Sequence, residues 1–218
     1  MIDPVHEVLA ALTVPGGGDA RAWAIEPLRE HGRVVTLRPR SETVDVLVRD
    51  IAGTVRATPA ALPFADDVLD GVALVPGLHV VTELDALFAE LRRVLRPAGT
   101  LVVVTPSISV RSVAEARWLS ALRLVRRGPW GHRSALDGVG WLLAAADFAV
   151  LGDDRVPFVL PLPDATAAAR AVATLPGAGL WPAGLSAEVR AGLAVELSRR
   201  AGPGSTLPVP LRRLVARR

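Results

Sequence analysis

Cysteine, lysine, tyrosine, asparagine and glutamine are all missing from this 218-residue chain, which also has a single methionine. Without cysteine the chain offers no disulfide, thiolate nucleophile, zinc–thiolate site or iron–sulfur ligation. Without lysine, every one of its 25 basic residues is an arginine, set against 22 acidic ones. The sequence pI of about 10.9 follows from that bias, because almost nothing titrates between the histidines and the guanidinium range. The net charge is only +3, too weak a field to grip a nucleic acid, and no nucleic-acid partner is expected. Long apolar runs are missing as well. Val139–Leu151 is interrupted by Gly140 and Asp147, well short of the roughly 20 residues that span a bilayer. The opening Met-Ile-Asp-Pro-Val-His-Glu lacks the basic flank of a signal peptide. The expectation is a cytoplasmic protein with no membrane partner.

What is present is a folded core. Half the residues are hydrophobic and the mean hydropathy is +0.37, which excludes disorder for most of the chain. Length favours one domain spanning residues 1–218. Val8–Val14 is an apolar run that reads as a strand buried on both faces. It ends in Pro15-Gly16-Gly17-Gly18-Asp19, and a helix is expected over Ala20–Glu30 with Asp19 as its N-cap. Arg33–Leu37 reads as a second strand, Ser41–Val48 as helical, Thr54–Ala57 as a third strand and Asp70–Val75 as a fourth. Leu84, Leu87, Phe88, Leu91, Val94 and Leu95 recur at helical spacing and predict an amphipathic helix over Glu83–Arg96. Pro97-Ala98-Gly99 stops it before the β-rich Thr100–Thr105. This alternation argues for an α/β domain with a doubly wound, mostly parallel sheet.

In the second half, Val113–Arg126 and Leu136–Ala146 read as helices and Phe148–Leu151 as a strand, while Pro157–Pro163 is too proline-rich for a central strand. Ala165–Leu175 and Ala187–Arg200 form a helical insertion over about residues 164–203, before a closing edge strand at Leu207–Val215. The insertion is a candidate site cover or homodimer contact. Trp118, Trp130, Trp141 and Phe158 collect the few aromatics here, for packing or for an apolar substrate cavity. The four histidines show no metal-ligand spacing, and no Gly-x-Ser-x-Gly elbow is present.

One stretch carries more specific information. Ala61-Leu62-Pro63-Phe64, Asp66, Asp70, Leu78-His79 and Glu90 through Arg93–Gly99 follow one another, ahead of Thr100–Thr105, in an order and spacing that resembles class I S-adenosylmethionine-dependent methyltransferases, closest to the type 11 small-molecule group. The resemblance implies a Rossmann-like, seven-stranded, mostly parallel sheet with an antiparallel last strand. It implies S-adenosylmethionine as cofactor and methyl transfer to a small-molecule acceptor through oxygen, nitrogen or carbon.

By position, the resemblance puts the cofactor's amino-acid end at Gly16, Gly17 and Gly18, where glycines let the backbone approach closely. The ribose position falls at Arg38 and the adenine position at Thr58, with Pro59, Leu62 and Leu78 completing the contacts. The family's acids at these points are replaced, by Val14 before the glycines, by Arg38 and by Thr58. His79, past the fourth strand, is the candidate base for a hydroxyl attacking the sulfonium methyl. Two alternatives follow from the replaced acids. One is a non-catalytic pseudo-methyltransferase acting by ligand or protein binding. The other is that Arg38 and Arg40 accept a phosphorylated nucleotide.

Overall fold

Val5, Val8, Leu9 and Leu12 are buried at i, i+3, i+4 and i+7, and this spacing makes the N-terminal segment a helix, α1 (Pro4–Ala11). The strand expected at Val8–Val14 is corrected accordingly, since the apolar stripe begins upstream of that run at Val5 and has period 3.6. The computed structural model describes residues 4–14, 17–49, 51 and 53–218. Helix α2 (Ala20–Ile25) starts where expected, with the Asp19 carboxylate accepting the Ala22 N–H at 2.7 Å. It gives way to a 3-10 turn, Glu26–Leu28, at Pro27, which cannot donate to the helical ladder.

Strand β1 (Val34–Pro39) leads through a tight turn into β2 (Val44–Val48), and β3 (Val55–Ala57) follows. β2 replaces the helix expected over Ser41–Val48. Val44-Asp45-Val46-Leu47-Val48 alternates with period two and is rich in valine, and the Arg40 N–H donating to the Thr43 carbonyl at 2.7 Å closes the hairpin. Next come β4 (Leu69–Leu74), α3 (Leu84–Val94) and β5 (Leu95–Pro106), which is longer than its TLVVVT centre suggested. The helix expected over Val113–Arg126 is reduced to α4 (Val113–Ala116) and α5 (Arg123–Arg126), with i→i−3 bonds at Trp118 and Leu119 breaking the ladder between them. The remaining elements are α6 (Val139–Ala145), β6 (Ala149–Val156), β7 (Val159–Pro161), α7 (Ala165–Thr174), α8 (Ala187–Arg200), β8 (Thr206–Pro208) and β9 (Leu211–Arg217).

The chain builds two compact units and passes between them repeatedly. One unit takes Met1–Trp23, Pro106–Trp130 and Val156–Leu211; the other takes Ala24–Thr105, Gly131–Arg155 and Arg212–Arg218. The second holds the sheet, whose strand order is β3-β2-β1-β4-β5-β9-β6. β1, β4 and β5 run parallel, β2 runs against β1, and β3 against β2, so β3, β1, β4 and β5 point one way. β9 runs antiparallel to β5. Arg218 exchanges bonds with Ala98 and Gly99 at one end, and the Ser107 N–H meets the Pro210 carbonyl at the other. The chain therefore has the expected α/β, seven-stranded, mostly parallel sheet with an antiparallel last strand. That strand is corrected from the edge to a place between β5 and β6, and it begins only after Pro208-Val209-Pro210 has separated it from β8.

One face of the sheet is a continuous core. Val35, Leu37, Val44, Val46, Val72 and Leu74 pack with Leu87, Phe88, Leu91 and Val94 of α3 and Leu143 of α6. On the other face Gly71 is required, because a Cβ there would stand 2.6 Å from the Leu28 side chain. The motif residues form a clasp over this core. The Arg93 guanidinium binds both oxygens of Glu90 at 2.7 Å, Asp66 at 2.7 Å and the Phe64 carbonyl at 2.8 Å, while Glu90 accepts the Leu62 N–H at 2.8 Å. Asp70 accepts the Arg33 N–H at 2.7 Å and pairs with Arg96 at 3.0 Å, fixing the start of β1 against β4 and β5.

In the other unit, β7 and β8 form a two-stranded antiparallel sheet, and Trp23 meets Phe158 edge-on at 5.2 Å. Helices α7 and α8 are capped by Asp164 and Ser186, whose side chains accept the Ala167 and Val189 N–H groups at 2.8 and 3.2 Å. Among the described residues no helix is long and apolar enough to cross a membrane.

Arg93→Ala removes five bonds and leaves Glu90 half-satisfied, so urea unfolding should show a loss of about 2–3 kcal/mol. Ala98 sits at φ +62, a conformation glycine adopts without cost. Ala98→Gly should therefore raise stability by about 0.5–1 kcal/mol in the same measurement.

Candidate functional site at the sheet switch point

The strand order reverses between β1 and β4, and in open α/β sheets ligands bind outside the carboxyl ends of the strands at such a point. The loops after these two strands meet there. Gly77, at φ +120, brings its backbone so close to β1 that a Cβ would be 3.3 Å from the Pro39 carbonyl. The Thr82 N–H and hydroxyl both donate to the Ser41 carbonyl, at 3.2 and 2.7 Å. β4 continues through Val75 into a 3-10 turn, Leu78–Val80.

Three strands supply one charged rung at this edge. Arg38 of β1 lies opposite Asp45 of β2, and Asp45 lies opposite Arg56 of β3. Arg40 joins from the turn, so Asp45 accepts bonds from Arg40 at 2.7 Å and Arg56 at 3.1 Å. Burial alone would raise the Asp45 pKa, but the two guanidinium hydrogen bonds outweigh it and hold the carboxyl below its ordinary value. Burial lowers the Arg38 pKa; the attraction of Asp45 works against this and the repulsion of Arg40 adds to it. Thr58 follows the next rung, Pro39–Val44–Ala57, and its carbonyl accepts the Ala61 N–H at 3.2 Å. Pro59 and Leu62 are buried in this turn, which is the one held by the Arg93 clasp.

His79 is only 1 % exposed. Its carbonyl accepts the His132 N–H at 2.8 Å, and a Cβ on Gly131 would stand 2.5 Å from that same oxygen. Burial, with the neighbouring His132, pushes the His79 pKa down to about 4, so the imidazole is neutral at pH 7.

Arg38, Thr58, Pro59, Leu62, Leu78 and His79 thus all belong to the sheet unit, at the carboxyl edge of the strands or in the loops beyond it. Gly17 and Gly18 belong to the other unit. They have φ of +95 and +99, and the Gly17 N–H donates to the Val14 carbonyl at 3.1 Å. Gly16 lies outside the described residues. Asp45 is a candidate residue at this edge that the sequence reading does not single out, because it reads Ser41–Val48 as helical. The period-two Val-Asp-Val-Leu-Val pattern was the signal that would have found it. Among the described residues no group of His, Asp and Glu is arranged to hold a metal ion.

A sheet of this order, reversing between β1 and β4, is of the Rossmann-like, doubly wound α/β kind. Residues 15–103 match the methyltransferase domain family (Methyltransf_11). The stretch is similar to the ubiquinone/menaquinone biosynthesis C-methyltransferase UbiE of Hahella chejuensis, 40% identical over 65 residues, covering 30% of this chain and 26% of that protein. It is also similar to the demethylmenaquinone methyltransferase of Mycobacterium marinum, 46% identical over 52 residues, covering 24% and 22%. The chain thus spans about a quarter of the length of the curated relatives it matches. Among solved structures it is similar to the [4+2]-cyclase SpnF, with a TM-score of 0.41, 21% identity, and coverage of 74% of this chain and 54% of that one.

The pKa of His79 sets a pH dependence. An unfolded imidazole titrates near 6.5 and the folded one near 4, so between these values the unfolded state binds the extra proton. Stability should therefore fall by up to ~3 kcal/mol as pH drops from 6.5 to 4, and urea melts of His79→Gln should show a flatter profile. Gly131→Ala should cost about 2 kcal/mol or more, read by thermal unfolding, because its Cβ has no room against the His79 carbonyl.

Proposed function

We propose that this protein is an S-adenosylmethionine-dependent methyltransferase acting on a small-molecule acceptor. The observation that carries the reading is the match of residues 15–103 to the methyltransferase domain family. The name of one relative, a ubiquinone/menaquinone biosynthesis C-methyltransferase, favours a carbon acceptor.

The residues at the switch point fit the cofactor's nucleoside end. The ribose hydroxyls are donors and need an acceptor, which a guanidinium is not. Arg38 cannot meet them, but Asp45 on the same rung is a carboxylate with lone pairs beyond those its two arginines use. In this reading Asp45 receives the ribose, Thr58 and Pro59 border the adenine, and Leu62 and Leu78 keep water from it. The resemblance in sequence assigns the amino-acid end to Gly16–Gly18, of which Gly17 and Gly18 have left-handed φ. S-adenosylmethionine, when bound, supplies an electrophilic methyl on a sulfonium sulfur. His79 is the base candidate, in the neutral form that takes up a proton.

The test is calorimetric titration with S-adenosylmethionine and S-adenosylhomocysteine. Both should bind, and Gly18→Val, which forces a β-branched residue into φ +99, should weaken binding by about tenfold or more. Absence of heat at millimolar ligand would overturn the assignment.

A further inference from the structure

Residues 111–127, which carry α4 and α5, lie wholly within one unit and outside the stretch that matches the methyltransferase domain. They hold five arginines and one acid, a net +4 against +3 for the whole chain. That acid, Glu115, stands alone between Glu90 and Asp137 in the sequence. It is only 6% exposed and accepts the Arg111 N–H at 2.9 Å, so the outer surface of the segment carries charge of one sign.

The i→i−3 bonds between α4 and α5 interrupt the helical ladder without unwinding the segment. The Leu122 N–H returns to the Trp118 carbonyl and the Arg126 N–H to the Leu122 carbonyl, both at 2.9 Å. Burial keeps the helical period. Glu115, Ala121 and Val125 point inward with Trp118 and Leu122 half-buried, while Val113, Arg117, Ser120, Leu124 and Arg127 form an exposed stripe at the same spacing. Val113 is 73% exposed, Leu124 47% and Leu119, on the flank, 42%. Each stands three or four residues from an exposed arginine, Val113 from Arg117, Leu119 from Arg123 and Leu124 from Arg127. The segment is braced by α8, whose Arg200 donates to the Arg117 carbonyl at 3.1 Å and lies 5.2 Å from the Trp118 ring centroid. Glu196 matches the charge of Arg200 at 2.9 Å, so α8 adds little to the excess.

Large apolar side chains left in water mark a surface that another body covers. Interleaved with guanidiniums, they suit a body that is anionic at its surface and apolar just beneath, which describes a bilayer with acidic headgroups. We propose that the outer face of residues 113–127 rests on an anionic lipid surface. The arginines sit at the headgroup phosphates, their methylene stems and Val113, Leu119 and Leu124 reaching below them. The expectation of no membrane partner came from the lack of a spanning run and of a leader, and a face that lies on a bilayer requires neither. The proposal goes beyond methyl transfer and does not depend on it.

The test is flotation of the full chain with vesicles of phosphatidylcholine, alone or with about one third phosphatidylglycerol. The protein should float with the mixed vesicles, stay behind with phosphatidylcholine alone, and be released as salt rises. Arg117→Glu/Arg123→Glu should weaken binding by about tenfold or more. Arg170→Glu/Arg190→Glu, an equal change of charge on exposed positions of α7 and α8, should leave binding within about twofold of wild type. The chain has no cysteine, so a nitrobenzoxadiazole dye attached to Leu124→Cys is its single label, and its emission should shift to shorter wavelength on the mixed vesicles. Poly-L-glutamate, an acidic polymer with no apolar layer, should bind more weakly and leave that emission unchanged. No flotation with the mixed vesicles, equal flotation with phosphatidylcholine alone, an equal loss in the α7–α8 variant, a dye emission that stays in place, or poly-L-glutamate binding as tightly would each overturn the proposal.

Discussion

The side chain of Arg93 ties together parts of the chain that would otherwise have no reason to meet. It leaves α3 near its C-terminal end, grips Glu90 on its own helix, and reaches Asp66 and the Phe64 and Leu62 carbonyls in the turn ahead of β4. Since α3 supplies the apolar stripe that covers the sheet, this clasp fixes the helix, the turn and the β4 entrance in one register. Asp70 performs the same service one layer away, holding the start of β1 and the Arg96 side chain that follows α3. β1 and β4 are thereby placed side by side, and the switch point exists because they are neighbours.

The clasp also explains what kind of signal the family motif is. Its polar residues, Asp66, Asp70, Glu90 and Arg93, are occupied with the fold, holding turns and strand ends by charge-assisted bonds. A motif whose side chains serve architecture identifies architecture, and chemistry must come from elsewhere at the strand ends. In the proposed reading that elsewhere is the Arg38–Asp45–Arg56 rung with Arg40 beside it, where the Asp45 carboxylate is supplied by a strand running against its neighbours.

Much of this was legible in the sequence where a local rule matched a tertiary demand. The α3 stripe, the Asp19 cap and the TLVVVT strand each encode their structure within a few residues, whereas α3 ends at Val94 and Pro97-Ala98-Gly99, expected to stop it, lies inside β5. The failures have physical causes. Val8–Val14 looked like a buried strand because the helical stripe that organises it starts three residues earlier. Ser41–Val48 read as helical, although Val44–Val48 has period two and forms β2. That one error hid Asp45. Position 38 read as an arginine in place of an acid, with Arg40 close by, and only the strand pairing puts Asp45 opposite it.

By itself the sequence determined composition, charge, the α/β class, the central helix and strand, and the spacing that resembles the methyltransferase domain family, since all of these depend on residues close together in the chain. Only the tertiary structure decided the sheet order, the reversal of β2, the position of β9 inside the sheet, the pairing of Arg38 with Asp45, and the exposure of Val113, Leu119 and Leu124. Those facts depend on contacts between segments tens of residues apart. They are settled by which apolar faces can be buried together and which buried charges can be paired, and a local pattern carries no record of either.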